Sequence, residues 1–215
     1  MSSMSEFDYQ WANLPSNFIE YSPQRVSELL NFTKIPKAWF KDKWCLDAGC
    51  GNGRYSYALK QLGAKVIAID ESMEAVKKCK QVADCYNVSI TDLSENEYDF
   101  VLCWGVLHHL ENPKEGFDIL SRQLKPGGIL HIMVYSKNTQ GIYTNHRKQF
   151  QQLNLEGRIA LCKKLSGGGN IHGWWDALNP KFNHAFDVDE VLSWFSGFKN
   201  VRVITRENIN INGVK

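Results

Sequence analysis

Leu46-Asp47-Ala48-Gly49-Cys50-Gly51-Asn52-Gly53-Arg54 is the stretch on which the reading of this chain turns. Trp44 to Ala48 before it reads as a strand, and Tyr55 to Leu62 after it as a helix. Glycines at alternate positions of a strand-to-helix turn leave the backbone bare, so a ligand can lie directly against it. The next apolar run, Lys65-Val66-Ile67-Ala68-Ile69-Asp70, is a second strand that closes on an acid. A carboxylate placed there can accept both hydroxyls of a ribose.

A glycine turn with an acid at the end of the following strand is a nucleoside-binding device of Rossmann type. Dinucleotide enzymes use G-x-G-x-x-G, which cradles a pyrophosphate on a helix N-terminus. Here the third-glycine position is Arg54, the pattern is G-x-G-x-G, and Asp47 precedes it. A carboxylate beside a pyrophosphate is repulsive, whereas beside an ammonium or sulfonium it is favourable. The turn therefore suits a cationic nucleoside better than a diphosphate, and a nicotinamide dehydrogenase is disfavoured.

Outward from this turn, strands and helices alternate from 44 to 135. Ser72 to Ala83 carries a helical apolar period, and Asn87 to Thr91 reads as a short strand ending at Asp92. Tyr98 to Trp104 is an apolar run but for Asp99, as in a strand buried on both faces. Asn112-Pro113 opens a helix to about Leu124, and Gly128 to Tyr135 is the next strand. Such alternation implies right-handed crossovers and a parallel sheet. Before it, residues 1–43 form a polar arm rich in aromatics, among them Phe7, Trp11 and Phe18, expected to pack across the cleft or as core cover. After it, residues 136–186 lose the rhythm and hold Ser166-Gly167-Gly168-Gly169 and His172-Gly173-Trp174-Trp175-Asp176. They read as a helical lid with a hinge. In 187–215, Asp187-x-x-Glu190 reads as an acidic capping box, followed by a final antiparallel strand pair. The whole reads as one domain of 215 residues, long enough for a full core.

Formal net charge is only +2, which disfavours a dedicated nucleic-acid or membrane-surface role. Lys34, Lys37, Lys41 and Lys43 form a local basic patch, more simply read as a solvated face. The six cysteines show no C-x-x-C pair and no Cys/His ligand spacing, so no metal is expected. With no basic start, no apolar leader and no membrane-length apolar run, a reduced, cytoplasmic protein is expected.

The pieces that carry a resemblance are the glycine turn, Asp70, Ser89-Ile90-Thr91-Asp92-Leu93, Tyr98-Asp99-Phe100-Val101, Gly105-Val106-Leu107-His108-His109-Leu110 and Leu124-Lys125-Pro126-Gly127-Gly128. Together they resemble the class I S-adenosylmethionine-dependent methyltransferases, in a type 11-like branch, closely over 44–135 and loosely beyond. The resemblance implies a Rossmann-like, seven-stranded, mostly parallel sheet whose last strand is antiparallel, with helices on both faces. It implies S-adenosylmethionine as cofactor, with Gly49, Cys50 and Gly51 under the methionyl part and Asp47 near its amino-acid end. Asp70, with Glu71 beside it, would take the ribose. Asp92 would accept the adenine amino group, with Leu93 offering a backbone N–H and an apolar face; Asp84 is the alternative acid. Trp104 would wall the pocket.

His109, His172 and His184 are the candidate bases, needed only if the acceptor must lose a proton. Of His108-His109, one is expected to be structural and one to face the cleft. Tyr135, Trp174, Trp175 and Asp176 are the candidate acceptor contacts, since aromatics with a few polar groups suit a small organic molecule. The favoured reading is methyl transfer to an O, N or C nucleophile of a small molecule. A tRNA-modifying enzyme of the wobble-uridine type is an alternative, favoured if the lysines, Arg147 and Lys148 form a basic face. A non-catalytic S-adenosylmethionine-binding sensor or partner protein is another. The residues do not specify an oligomeric state.

Overall fold

The computed structural model describes residues 5–15 and 21–215; Phe18 and the first four residues lie outside them. Among the described residues, a seven-stranded sheet runs in the order β3-β2-β1-β4-β5-β7-β6. Its strands are β1 (Trp44–Ala48), β2 (Lys65–Asp70), β3 (Asp84–Asn87), β4 (Tyr98–Trp104), β5 (Leu124–Tyr135), β6 (Lys199–Thr205) and β7 (Asn208–Val214). β1 to β5 pair in parallel, and β7 runs antiparallel to both β5 and β6. This is the Rossmann-like architecture that the alternation implies.

β4 shows why the centre holds. Tyr98, Val101 and Cys103 face one apolar cluster and Phe100 and Leu102 the other, so both faces are buried. On the first face pack α5 (Pro113–Arg122) and α9 (Val188–Trp194), through Phe117, Leu120, Val191 and Trp194. On the second pack α2 (Pro23–Thr33), α3 (Arg54–Gln61) and α4 (Met73–Cys79), through Leu29, Leu59 and Val76. α5 starts where its signals predict: Asn112 Oδ1 accepts from the Glu115 N–H at 3.3 Å and Pro113 occupies the first turn.

The remaining described helices are α1 (Asp8–Asn13) in the arm, and α6 (Lys137–Gln151), α7 (Leu155–Ser166) and α8 (Ile171–Leu178) after β5. Each of the last three is capped by its own side chain, Ser136, Asn154 and Asn170. They enclose a separate small core of Leu14, Phe150, Leu161, Cys162, Trp175 and Leu178.

Three local readings are corrected. The third strand is Asp84–Asn87, not Asn87–Thr91; only Cys85 of its four residues is buried, so it carries no apolar signal. Residues Ile90–Asp92 form instead a single 3₁₀ turn. The helix expected over Ser72 to Ala83 stops at Cys79, after which tight turns close through Gln81 and Val82. Asp187 does not cap α9 with its side chain; its carboxylate accepts from Lys137 Nζ at 2.6 Å.

Candidate active site

A cleft of about 600 Å³ opens at the carboxyl ends of β1, β2, β4 and β5. Strand order reverses between β1 and β4, the place where open α/β sheets bind ligands. The volume is that of a small-molecule site.

One wall is the glycine turn and its surroundings: Asp47, Gly49, Cys50, Gly51, Asp70, Glu71 and Trp104 all line the cleft. Gly49 and Gly51 adopt φ of 75° and 55°, in the left-handed region. A Cβ on Gly49 would lie 2.2 Å from Val106 Cγ2, and one on Gly51 2.5 Å from Trp11, so sterics as well as φ require glycine. The Gly49 and Cys50 N–H groups donate to the Ile69 carbonyl, at 2.8 and 2.9 Å, which ties the turn to β2. Asp70 is buried at the end of β2, where it accepts from the Gly51 N–H at 2.8 Å and the Ser72 N–H at 2.9 Å. Burial pushes its carboxyl up to about 7 even against those two hydrogen bonds. Asp47 is pushed up to about 7 by the same cause, although the Ser56 hydroxyl donates to it at 2.6 Å. Trp104 is wedged against Phe32 at 3.9 Å and lies parallel to the buried His131.

The other wall centres on Asp176 of α8, half-buried. Its carboxylate accepts from the Tyr135 hydroxyl at 2.9 Å, Gln10 Nε2 at 3.1 Å and the His109 ring at 3.4 Å. Burial alone would raise the Asp176 carboxyl, but the hydrogen bond and charge of His109, then Gln10 and His172, hold it well below the usual carboxylate range. Tyr135 is pushed well above its ordinary value, first by burial and then by the Asp176 charge. His109 Nδ1 faces the Phe182 carbonyl at 3.2 Å and Nε2 faces Asp176, so both nitrogens are turned to acceptors. His172 differs. Its Nε2 is buried with no hydrogen-bond partner among the described residues, and its ring packs on Trp11 at 4.5 Å. Burial first, with Arg54 and Lys78 adding to it against the pull of Asp176, lowers the His172 ring below 6.5.

The fold thus gathers His109, His172, Tyr135, Trp174 and Asp176 around the cleft, but not every expected residue. His184 is not in the lining; its backbone N–H donates to the His108 carbonyl at 2.8 Å and its ring lies between Phe182 and Phe186. Trp175 is buried within the separate core of α6 to α8 and is not in the lining, whereas Trp174 packs against the edge of that core and lines the cleft. Asp92 and Leu93 also lie outside the lining, because β3 ends earlier than expected; Val88, Ser89 and Ile90 take that place. Asp84 sits opposite Ile67, towards the amino end of the parallel pair. His108 and His109 divide as expected: the first is fully buried against Tyr135 and the second faces the cleft.

Sequence reasoning missed Phe7, Gln10 and Trp11 as individual cleft residues. The spacing of Phe7 and Trp11, one helical turn apart, was the available signal. The basic patch does not border the cleft: Lys37 to Lys43 lie before β1, at the sheet's amino edge. Arg147 donates to the carbonyls of Ala177, Leu178, Pro180 and Lys181 and so serves α8. The cysteines, too, depart from expectation. Sequence spacing shows no ligand set, yet the Sγ atoms of Cys50, Cys79 and Cys85 all lie within 4.8 Å of one another. They come from a turn, a helix end and a strand, a grouping that only tertiary structure makes.

A methyltransferase domain model matches residues 46–132, from the glycine turn through β5. Residues 46–132 of this chain thus carry a methyltransferase domain. The domain is 42% identical over 105 residues to an uncharacterized protein of Synechococcus, covering 43% of this chain and 25% of that one. It is 32% identical over 106 residues to a ubiquinone biosynthesis O-methyltransferase of Dechloromonas aromatica, covering 45% of this chain and 46% of that enzyme. The match thus spans less than half of either relative. In fold, magnesium protoporphyrin IX methyltransferase of Synechocystis superposes with a TM-score of 0.59 at 14% identity, over 100% of this chain and 99% of that one. No helix among the described residues is long and apolar enough to cross a membrane.

Proposed function

We propose that this chain binds S-adenosylmethionine on the glycine-turn wall and transfers its methyl group to a small-molecule acceptor held against the Asp176 wall. The observation that carries the reading is one cleft with two chemically different walls, both within reach of a single bound pair. The donor set fits the cofactor: bare backbone at Gly49 and Gly51, a buried acid at Asp47 suited to the ammonium of the amino-acid end, and a buried acid at Asp70 suited to vicinal hydroxyls. Val88, Ser89 and Ile90 replace Asp92 and Leu93 as the proposed contacts to the base. The ubiquinone-biosynthesis relatives act on a small molecule, which supports the same acceptor class here.

When bound, S-adenosylmethionine supplies a methyl group on a sulfonium, an electrophile that needs no further activation. The chain's own task is alignment and exclusion of water. Trp11, Trp104 and Trp174 close the cleft with apolar surface. Tyr135 and His109 are held in place by Asp176 and present fixed polar groups to the acceptor. His172, with its unpartnered Nε2, is the group suited to take a proton from an acceptor hydroxyl or amine as the new bond forms. Charged side chains of the basic patch lie away from the cleft, so the small-molecule reading is preferred to tRNA. Calorimetric titration with S-adenosylmethionine, S-adenosylhomocysteine and NAD tests the reading. Binding of the first two and not the third is expected, and tight NAD binding overturns it.

A further inference from the structure

The thiols of Cys50, Cys79 and Cys85 have no part in the reaction derived above, although the Cys50 backbone belongs to the cofactor turn, and their grouping calls for a separate account. All three are buried, at 7%, 0% and 2% exposure. Cys50 Sγ is 3.4 Å from Cys85 Sγ, and no pair among the three exceeds 4.8 Å. Three sulfurs at that outer limit would have a common centre about 2.8 Å away, and sides of about 4 Å bring it to the ~2.3 Å of a zinc–thiolate bond. One side is already shorter than that, so side-chain rotation alone could close the triangle. Each sulfur comes from a different element, the glycine turn, the end of α4 and β3, so the backbone holds the triangle from three directions.

We propose that Cys50, Cys79 and Cys85 form a three-thiolate site for a soft divalent cation, of which Zn²⁺ is the type. The donor set decides the class. Sulfur alone selects thiophilic ions against magnesium, calcium or manganese. Among the described residues no histidine or carboxylate joins the cluster, so a fourth position is left for water or another small ligand. Charge decides the valence. Three thiolates around a dication leave −1, whereas around a monocation such as Cu⁺ they leave −2. With the buried acids Asp47 and Asp70 close by, the smaller residual charge is the less costly. Cys50 also lines the cleft, which gives an ion its way in. Bound there, the ion staples the cofactor turn to α4 and β3. Binding releases the thiol protons and needs no oxidant.

The test uses the full chain, reduced with a phosphine, freed of metal with a chelator and reloaded with Zn²⁺ alone. One zinc per chain is expected, with an X-ray absorption first shell of three sulfurs at about 2.3 Å, and an increase in Tm on loading. Cd²⁺ in its place gives a thiolate charge-transfer band. Cys79→Ser and Cys85→Ser, each checked for native circular dichroism, should bind Zn²⁺ at least tenfold more weakly and lose the Tm increase, while Cys162→Ser keeps both. A first shell of nitrogen and oxygen, or zinc binding undiminished in both variants, overturns the proposal. The wild-type absorption measurement decides it even if neither variant folds.

Discussion

Asp70→Ala separates the cofactor reading from a purely structural one. In the ligand-free protein the carboxylate accepts from the Gly51 and Ser72 N–H groups, so truncation orphans two donors. The Gly51 amide can turn to cleft water and the Ser72 amide cannot, so about 2 kcal/mol of stability should be lost, at the low end for such groups. If the same carboxylate also takes ribose hydroxyls, each hydrogen bond to a charged acceptor is worth about 1.5–3 kcal/mol. S-adenosylmethionine affinity should then fall by at least about 10- to 150-fold, the value of one such bond, more than the fold loss alone explains once urea unfolding shows the variant to be native. The pH dependence sharpens this. Asp70 and Asp47 are both pushed up to about 7. The cofactor needs them ionised, so wild-type affinity should rise from pH 6 to pH 8, and Asp70→Ala should remove part of that slope while Asp47 keeps the rest. Stability runs the opposite way. A raised native pKa means that the folded state binds more protons than the unfolded one between about pH 4 and 7. The contribution of these acids is therefore lost as pH rises through that window, and the ligand-free protein should resist urea better at pH 5 than at pH 8 as far as they are concerned. Native Asp70→Ala with affinity within twofold of wild type refutes the reasoning.

The two neighbouring tryptophans should behave as opposites. Trp175→Ala removes a buried ring packed on Tyr9 and Phe150 and should cost about 3–5 kcal/mol in denaturant melts; Trp174→Ala, at a half-buried ring beside Tyr143, should cost clearly less stability and raise the acceptor KM. His172→Gln should lower kcat, and the acid limb of the wild-type pH–rate profile should fall below 6.5, because burial holds the ring neutral to lower pH; His184→Gln should leave both unchanged. Asp92→Ala and Asp84→Ala should each leave S-adenosylmethionine affinity within about twofold, the scale for sites without shared partners, whereas Ile90→Asp should weaken it sharply.

What could be read from the chain in advance follows a physical division. The cofactor wall is local: Asp47 lies at the end of one strand and Gly49 to Gly53 form the turn after it, Asp70 ends the next strand, and Trp104 closes the apolar run from Phe100. Its chemistry depends on neighbours in sequence, so glycine spacing and strand ends suffice. β3 escaped because an edge strand with one buried residue carries no apolar pattern, and Asp92 and Leu93 were misplaced with it. Trp174 and Trp175 could not be told apart, since adjacent residues on α8 point to different faces and nothing in the residues says which face meets the cleft. The cysteine cluster and the triple hydrogen bonding of Asp176 are assembled from distant segments, and no spacing rule reaches them.

The arm explains how these distant parts become one site. Asp8 accepts from the Ser72 hydroxyl at 2.6 Å, and the Ser5 hydroxyl donates to Glu71 at 2.9 Å, so the arm touches the ribose end of the cofactor wall. The same short segment reaches the other wall. Gln10 donates to Asp176, the Glu6 carbonyl accepts from Asn179 at 3.0 Å, and the Glu6 carboxylate accepts from the Lys181 N–H at 2.7 Å. Tyr9 stacks on Trp175, and Trp11 packs at a tilt against His172. The segment from Ser5 to Trp11 thus bridges the two walls, hydrogen-bonded to Glu71, Ser72 and the Glu74 N–H on one side and to α8 and its neighbours on the other. Opening of the cleft between the walls must break either the bonds to α8 and its neighbours or the Asp8–Ser72 and Ser5–Glu71 bonds. Those two bonds sit beside Asp70, so the arm can settle fully only when the chain around Asp70 is in place. On the proposed reading, a cofactor that orders the chain around Asp70 would steady the arm, and with it Gln10 against Asp176.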